Sequence, residues 1–231
     1  MIPIHDDNPT EIRPYLTYGF IFLCISVFIW ELSLGEQLER MFYSLGVVPV
    51  VLLGAQELPN ELALFPPWAS IFTSMFMHGG WMHLISNMLY LWIFGNNVED
   101  AMGHQRFLFF YLACGVVAVF AQVLPDPQSV VPMIGASGAI SGVLGAYLLL
   151  YPHAKVLVAI PLGIFFYTTR IPAGFVLVFW FVMQLISSYM EGGQQGGVAF
   201  GAHLGGFLAG MFLIPLFRKK GHVLHLFGNR L

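Results

Sequence analysis

An apolar run near the start of the chain most constrains what this protein can fold into. The run covers residues 15–34, and Glu31 is the one charged residue inside it. A helix of about twenty such residues is long enough to cross the roughly 30 Å of hydrocarbon in a bilayer. Because acidic residues outnumber basic ones before this run, we expect an uncleaved membrane anchor rather than a signal peptide.

Composition extends this expectation to the whole chain. Hydrophobic residues make up 58% of the 231 residues and charged residues only 9%, whereas soluble domains carry roughly 25% charged residues. We therefore predict one all-α membrane domain over residues 1–231, with a cytoplasmic N-terminal segment at 1–14, a six-span core at 15–217 and a basic cytoplasmic tail at 218–231. A net charge of −3 gives no reason to expect a nucleic-acid partner.

Five further spans follow from apolar length and from the Gly, Pro or charged residues that bound each run. They are residues 81–97, 104–124, 137–151, 174–189 and 199–217. The long first connection, 35–77, mixes charges, prolines and apolar pieces, so we expect it to lie in the membrane interface. The apolar piece 156–167 is too short to cross and contains Pro161 and Gly163, which favours a linker along one interface.

The distribution of lysine and arginine predicts the orientation of the chain. With six spans, eight of the nine basic residues fall on one side of the membrane and Arg40 alone falls on the other. Basic residues are retained on the cytoplasmic side. Both termini are therefore predicted to be cytoplasmic.

Polar residues inside membrane spans are candidates for function because they are costly there. His83 and Asn87 are four residues apart at the outer start of the second span, so they share one helical face and could direct two hydrogen-bond donors at one point. The alternative is that His78, His83 and Asn87 only hydrogen-bond to neighbouring backbone. Spacing alone leaves both interpretations open.

Ser137 begins the shortest predicted span. That span has fifteen residues, or roughly 22 Å of helix, so its start is expected below the outer membrane surface. The loop before Ser137 must then line a polar pocket, and the free N–H groups at the helix start suit a developing oxyanion. Alternatively, Gly138 and Gly142 form a close-packing patch between helices, which is compatible with catalysis.

His203 is the only histidine of the sixth span, which also has a face of small residues. That face comprises Gly201, Gly205, Gly206 and Gly210. Small faces on both helices would let Ser137 and His203 meet, and a serine needs such a general base to become a nucleophile. No carboxylate is near to complete a triad, so the sequence predicts a dyad. No metal site or cofactor is predicted, since no histidine has a ligating partner at metal-binding spacing.

The chain resembles bacterial rhomboid proteases over nearly its whole length, and three motifs together carry the resemblance. They are His78, His83 and Asn87 followed by GNNVED at 95–100, then GASG around Ser137, then GAHLGG containing His203. The resemblance implies a six-helix rhomboid bundle with a long interfacial first loop. It also implies an intramembrane serine endopeptidase, embedded in lipid as a multi-pass protein of a bacterial inner membrane.

The resemblance also implies a role for each matched residue. Ser137 would be the nucleophile and His203 the general base and then acid, with an oxyanion hole made by the Ser137 backbone N–H and the side chains of His83 and Asn87. The structural residues expected near this site are His78, Gly135, Gly138 and Gly206. Transmembrane protein substrates would enter laterally near the fifth span and be cut near their outer ends.

Two departures from the family pattern stand out. Ser141 occupies the position, one turn after the nucleophile, where some relatives have an aromatic residue against the catalytic histidine, and the first loop lacks a Trp-Arg pair. A glycine-rich run at 191–197 is expected to cap the cavity, while Trp180 and Phe181 suit either its wall or lipid contacts.

Two other functions stay open: a non-proteolytic rhomboid-like protein that binds clients, and a small transporter with half-helices.

Overall fold

The computed structural model describes residues 1–191, 199–226 and 229–230. The helices in this part of the chain are α1 (Tyr15–Ser33), α2 (Leu38–Leu45), α3 (Pro49–Leu52), α4 (Ser70–Thr73), α5 (Trp81–Met102), α6 (His104–Val123), α7 (Ser137–Leu150), α8 (Ala173–Glu191) and α9 (Phe200–Phe217). The strands are β1 (Ile2–Asp6), β2 (Lys155–Leu162), β3 (Phe165–Pro172), β4 (His225–Leu226) and β5 (Asn229–Arg230).

The apolar helices form where hydropathy predicts them. Within the described residues, α1, α6 and α9 are each long and apolar enough to cross a membrane, and α7 and the first part of α8 are shorter apolar helices. The prediction of a mainly helical membrane protein is confirmed, whereas the count of six spans stays a prediction. Helix α5 continues five residues past the predicted end at 97, because its terminal charges Glu99 and Asp100 are buried and hydrogen-bonded.

Close backbone contact joins α7 to α9. A Cβ atom on Gly206 would overlap the Gly138 carbonyl oxygen, and one on Gly210 would overlap that of Gly142. Helices approach this closely only where both lack side chains. The predicted small faces at 138 and 142 and at 206 and 210 are thus confirmed.

The other two glycines of α9 face a different helix. A Cβ on Gly201 would lie 2.7 Å from Gln122 Oε1, and one on Gly205 would overlap the Ala121 side chain. Both contacted residues belong to α6, so Gly201 and Gly205 contribute to α6–α9 packing rather than to the contact with α7. Helix α9 is therefore held by small residues on two sides.

A three-stranded antiparallel sheet corrects the all-α prediction. Residues 156–167, expected to be an interfacial linker, lie mostly in a hairpin of β2 and β3 that turns at Gly163, where φ is +65°. Strand β1 pairs with β2, giving the order β1-β2-β3. Pro161 is tolerated because β1 pairs with β2 only over residues 156–159, which leaves one side of β2 free beyond them.

The N-terminal segment is tied to the helical core by buried polar contacts. The Tyr147 hydroxyl of α7 donates to Asp6 Oδ2 at 2.6 Å, and burial raises the pKa of that carboxyl above its ordinary value, although the Tyr147 hydrogen bond opposes the shift. The Glu99 carboxylate of α5 accepts hydrogen bonds from the Thr17 backbone N–H at 2.8 Å and the Thr17 hydroxyl at 2.7 Å. These contacts tie β1 to α7 and the start of α1 to α5.

Candidate active site

The loop before Ser137 is held against the first connection. Met133 and Val47 exchange backbone hydrogen bonds, and the Gly135 N–H donates to the Ser74 carbonyl oxygen at 2.8 Å. Gly135 has φ +126°, and a Cβ there would lie 2.7 Å from His83 Nε2. Glycine is therefore required at 135 both by backbone conformation and by the space that His83 occupies.

Ser137 lies at the start of α7, where the helix has no side-chain cap. Ala136 occupies the N-cap position without a capping hydrogen bond. The first N–H groups of a helix have no intrahelical acceptor, and they carry its partial positive charge. Donors are thus available beside the Ser137 hydroxyl.

His83 and Asn87 of α5 line the same cavity as Ser137. Asn87 is buried, and its Nδ2 atom has no hydrogen-bond partner among the residues that the structure describes. A buried donor without an acceptor costs free energy unless something occupies the space it faces. The His83 ring accepts one long hydrogen bond among the described residues, from the Gly79 N–H to its Nδ1 atom at 3.4 Å.

His78 is buried, and its ring lies beside backbone. Its Nδ1 atom lies 3.2 Å from the Phe76 carbonyl oxygen, and its ring contacts that of His83 at a centroid distance of 5.2 Å. The His78 backbone N–H donates to the Glu31 carboxylate of α1 at 3.1 Å. Sequence reasoning assigned Glu31 no role, although a lone charge within an apolar run was a usable signal.

His203 of α9 contacts a polar residue that sequence reasoning missed. Its Nδ1 atom lies 2.7 Å from Gln184 Oε1 of α8. The ring of Trp180 is 5.9 Å from the imidazole, and that of Phe200 is 6.1 Å away and edge-on. A polar amide inside the apolar fifth segment could have indicated Gln184. The hydrogen bonds found among the described residues include none between His203 and Ser137.

A cavity of about 1090 Å³ brings these groups together. It is lined by His83 and Asn87 of α5, Gln122 of α6, Ser137 and Ser141 of α7, Trp180 and Gln184 of α8, and Gly201 and His203 of α9. Trp180 is thus a wall residue, whereas Phe181 stacks on Phe207 of α9 at 4.7 Å. The glycine-rich run at 192–197 lies outside the described residues. Fold and site together define a helical membrane protein whose apolar bundle contains an open cavity, with serine and histidine side chains among its mixed polar and apolar lining.

Comparison with known proteins assigns this class to a family. A model of the rhomboid domain matches residues 66–220. Among curated relatives, the chain is 38% identical to Rhomboid protease GluP of Bacillus subtilis over 137 residues, or 59% of this chain and 24% of that protein. It is 32% identical to Rhomboid protein 1, mitochondrial, of Saccharomyces cerevisiae over 191 residues, or 75% and 52% of the two chains.

A third relative has a similar level of identity. The Putative rhomboid protease YdcA of Bacillus subtilis is 30% identical over 140 residues, which is 60% of this chain and 64% of that one. The chain belongs to the rhomboid family, as its motifs predicted. It spans between 24% and 64% of the length of these three relatives.

Proposed function

We propose that the protein is an intramembrane serine endopeptidase that cleaves transmembrane proteins near the outer ends of their helices. One observation carries the proposal: Ser137, at the uncapped start of α7, and His203, on the adjacent helix α9, line the same cavity as His83 and Asn87. A nucleophile, a base and donors for an oxyanion are the groups that acyl transfer needs. The protease names of related proteins support the same assignment.

The reaction begins with the Ser137 hydroxyl. Oγ attacks the carbonyl carbon of the scissile peptide bond while its proton passes to Nε2 of His203, which forms a C–O bond and a tetrahedral intermediate. The imidazolium then gives that proton to the leaving nitrogen as the C–N bond breaks, leaving an acyl-enzyme. Water, deprotonated by the same imidazole, attacks the ester carbonyl carbon. The bond from that carbon to Ser137 Oγ then breaks, the imidazolium returns its proton to Oγ, and the new carboxyl end is released.

The oxyanion of the tetrahedral intermediate would be held by three donors. They are the Ser137 backbone N–H, the Asn87 side-chain amide and the His83 imidazole. The unpartnered Nδ2 of buried Asn87 supports this role, because an oxyanion would supply the acceptor that it lacks. The uncapped start of α7 supports the contribution of Ser137 N–H.

The proposed topology has six spans, α1 and α5 to α9, with both termini in the cytoplasm of a bacterium and the protein in its inner membrane. Basic residues meet at one end of the bundle, where Lys219 Nζ donates to the Asp100 carbonyl oxygen at 2.8 Å and Arg106 Nη1 to that of Arg218 at 3.2 Å. Helix α7 has 14 residues, or roughly 21 Å. Ser137 would therefore lie below the outer surface and meet substrates that enter laterally from lipid near α8.

The test compares wild type, Ser137→Ala and His203→Ala, each purified and reconstituted in liposomes with a model transmembrane substrate carrying small residues near its outer end. We expect cleavage by wild type alone, with a single site in the outer part of the substrate helix. Equal cleavage by all three proteins would contradict the proposal. Substrate binding without cleavage by wild type would instead identify a non-proteolytic client-binding protein.

A further inference from the structure

Ser141, one helical turn after Ser137, is engaged with its own helix. Its hydroxyl donates to the Ser137 carbonyl oxygen at 2.6 Å, and the residue is buried. Serine has no aromatic face to offer His203, and the hydrogen bonds of the described residues include none between Ser141 and His203. The contacts that orient the imidazole must therefore come from elsewhere in the bundle.

Helix α8 supplies both kinds of contact. Gln184 Oε1 lies 2.7 Å from His203 Nδ1, and Trp180, with its ring 5.9 Å from the imidazole, precedes Gln184 by four residues. Residues four apart in a helix share one face. One face of α8 thus presents an aromatic ring and an amide oxygen to the same histidine.

We propose that Gln184 is the positioning residue for His203, accepting the Nδ1 proton and so leaving Nε2 free to receive the proton of Ser137. This inference rests on the proposed function, because it assigns the orientation of the base in that reaction. A neutral imidazole carries one proton, so a hydrogen-bond acceptor at Nδ1 selects the tautomer whose Nε2 is basic. The opposite amide orientation, with nitrogen facing Nδ1, would place the proton on Nε2 and block the reaction.

A neutral amide at this position can hold the imidazole as a carboxylate does in a triad. In a Ser-His-Asp triad a buried carboxylate holds the imidazole in the required tautomer. Gln184 is half-buried in the wall of the cavity, and its amide oxygen accepts the same hydrogen bond without carrying a net charge. Gln184 can therefore provide orientation while adding little electrostatic stabilisation to the imidazolium.

The titratable groups around the cavity do not replace Gln184. Those on its described wall, apart from His203, are His83 and Tyr90 of α5 and the exposed Asp126 that follows α6. The polar residues that α7 and α8 add to the wall, two serines and Gln184, carry no charge. Among the hydrogen bonds of the described residues, that with Gln184 is the one made by the His203 ring. A charge introduced at position 184 would consequently act directly on the imidazole.

Two substitutions separate orientation from packing. Gln184→Met keeps an unbranched side chain of similar length but removes the amide oxygen, whereas Gln184→Glu keeps an oxygen acceptor and adds a charge. Leu185→Met is the matched control, since it places the same new side chain on an exposed neighbouring position of α8. All three are compared with wild type for kcat and KM across pH in liposomes.

We expect Gln184→Met to lower kcat by roughly 10- to 100-fold with little change in KM, because a misoriented base loses part of its contribution to the transition state. Gln184→Glu should recover most of that loss and move the acid limb of the pH profile upwards by about one pH unit, since a carboxylate favours the imidazolium. Leu185→Met should match wild type. An unchanged kcat in Gln184→Met, or an unmoved acid limb in Gln184→Glu, would overturn the inference.

The tautomer of His203 can be read without any cleavage. In protein labelled with ¹⁵N-histidine, the difference between wild type and His203→Ala isolates its signals, which should show Nδ1–H in wild type and a mixture in Gln184→Met. If wild type cleaves and Ser137→Ala does not, an unchanged His203 tautomer in Gln184→Met contradicts the role of Gln184 but leaves the proposed function intact. A wild type that cleaves nothing contradicts the proposed function, and the tautomer then decides the inference by itself. Should Gln184→Met fail to fold, the acid limb of Gln184→Glu decides.

Discussion

The α7–α9 interface and the C-terminal part of α8 (residues 178–190) are built in opposite ways. In the interface, Gly206 and Gly210 lie directly against the carbonyl oxygens of Gly138 and Gly142, so backbone contacts backbone. In the C-terminal part of α8, no side chain that the structure describes is buried. One helix pair admits no additional atom, whereas the other helix leaves most of its surface uncovered.

Both regions meet at His203. Its backbone belongs to α9 and is placed by the glycine interface, while its ring is held by Gln184 and Trp180 from α8. Packed interfaces have few alternative arrangements, whereas a helix with few buried contacts can shift at lower cost. The difference teaches that the position of the histidine and the orientation of its ring are set by separate structural elements with different stability.

The largest effect should come from filling the glycine interface. Gly210→Ala would force a methyl group into the Gly142 carbonyl oxygen, and backbone cannot rotate aside as a side chain can. We expect a loss of about 3 kcal/mol of unfolding free energy or failure to fold, measured by denaturation in mixed micelles. Gly19→Ala on α1 is the control, because no atom of the residues that the structure describes lies within 4 Å of its new Cβ. Equal losses for the two variants would break the comparison.

A smaller effect should separate the two ends of α8 itself. Leu177 is fully buried near the start of the helix, whereas Ile186 is 45% exposed. Leu177→Ala should cost about 2 kcal/mol or more, and Ile186→Ala less than about 0.5 kcal/mol, by the same denaturation measurement. Similar costs at both positions would mean that the C-terminal part of α8 is packed as firmly as its start.

The smallest effect concerns the pH dependence of the contact between Asp6, in the N-terminal segment, and Tyr147 of α7. Burial raises the pKa of Asp6 above its ordinary value of 3.8, so folding favours its protonated form. The contribution of Asp6 to stability is therefore fully present below pH 3.8 and is lost as the pH rises through the higher pKa of the folded state. Asp6→Asn keeps an acceptor for the Tyr147 hydroxyl and should lack this dependence.

The pH prediction is read from the difference in melting temperature between wild type and Asp6→Asn. That difference should move against wild type as the pH increases above 3.8. A constant difference across the acid range would show that Asp6 titrates in the folded protein as it does in the unfolded chain.

Much of the helical core was predictable, and the sheet was not. A helix that crosses lipid needs a minimum apolar length, so runs such as the one beginning at Tyr15 can be recognised from the sequence. The hairpin at 155–172 was missed because a short apolar run has no periodicity that separates a strand from a linker. The remaining strand of the sheet, β1, comes from the N-terminus of the chain. Only its pairing with β2 shows that residues 2–6 are extended.

The sequence by itself determined the solvent of this protein, its family and the residue types of its candidate site, because membrane length and motif chemistry depend on local order alone. Only the tertiary structure decided which polar groups meet. Gln184 of α8 contacts His203 of the neighbouring helix α9, and Glu31 of α1 accepts a hydrogen bond from the backbone of His78, 47 residues away in the sequence. Such contacts depend on the distance and rotation between packed helices, which no single segment of sequence encodes.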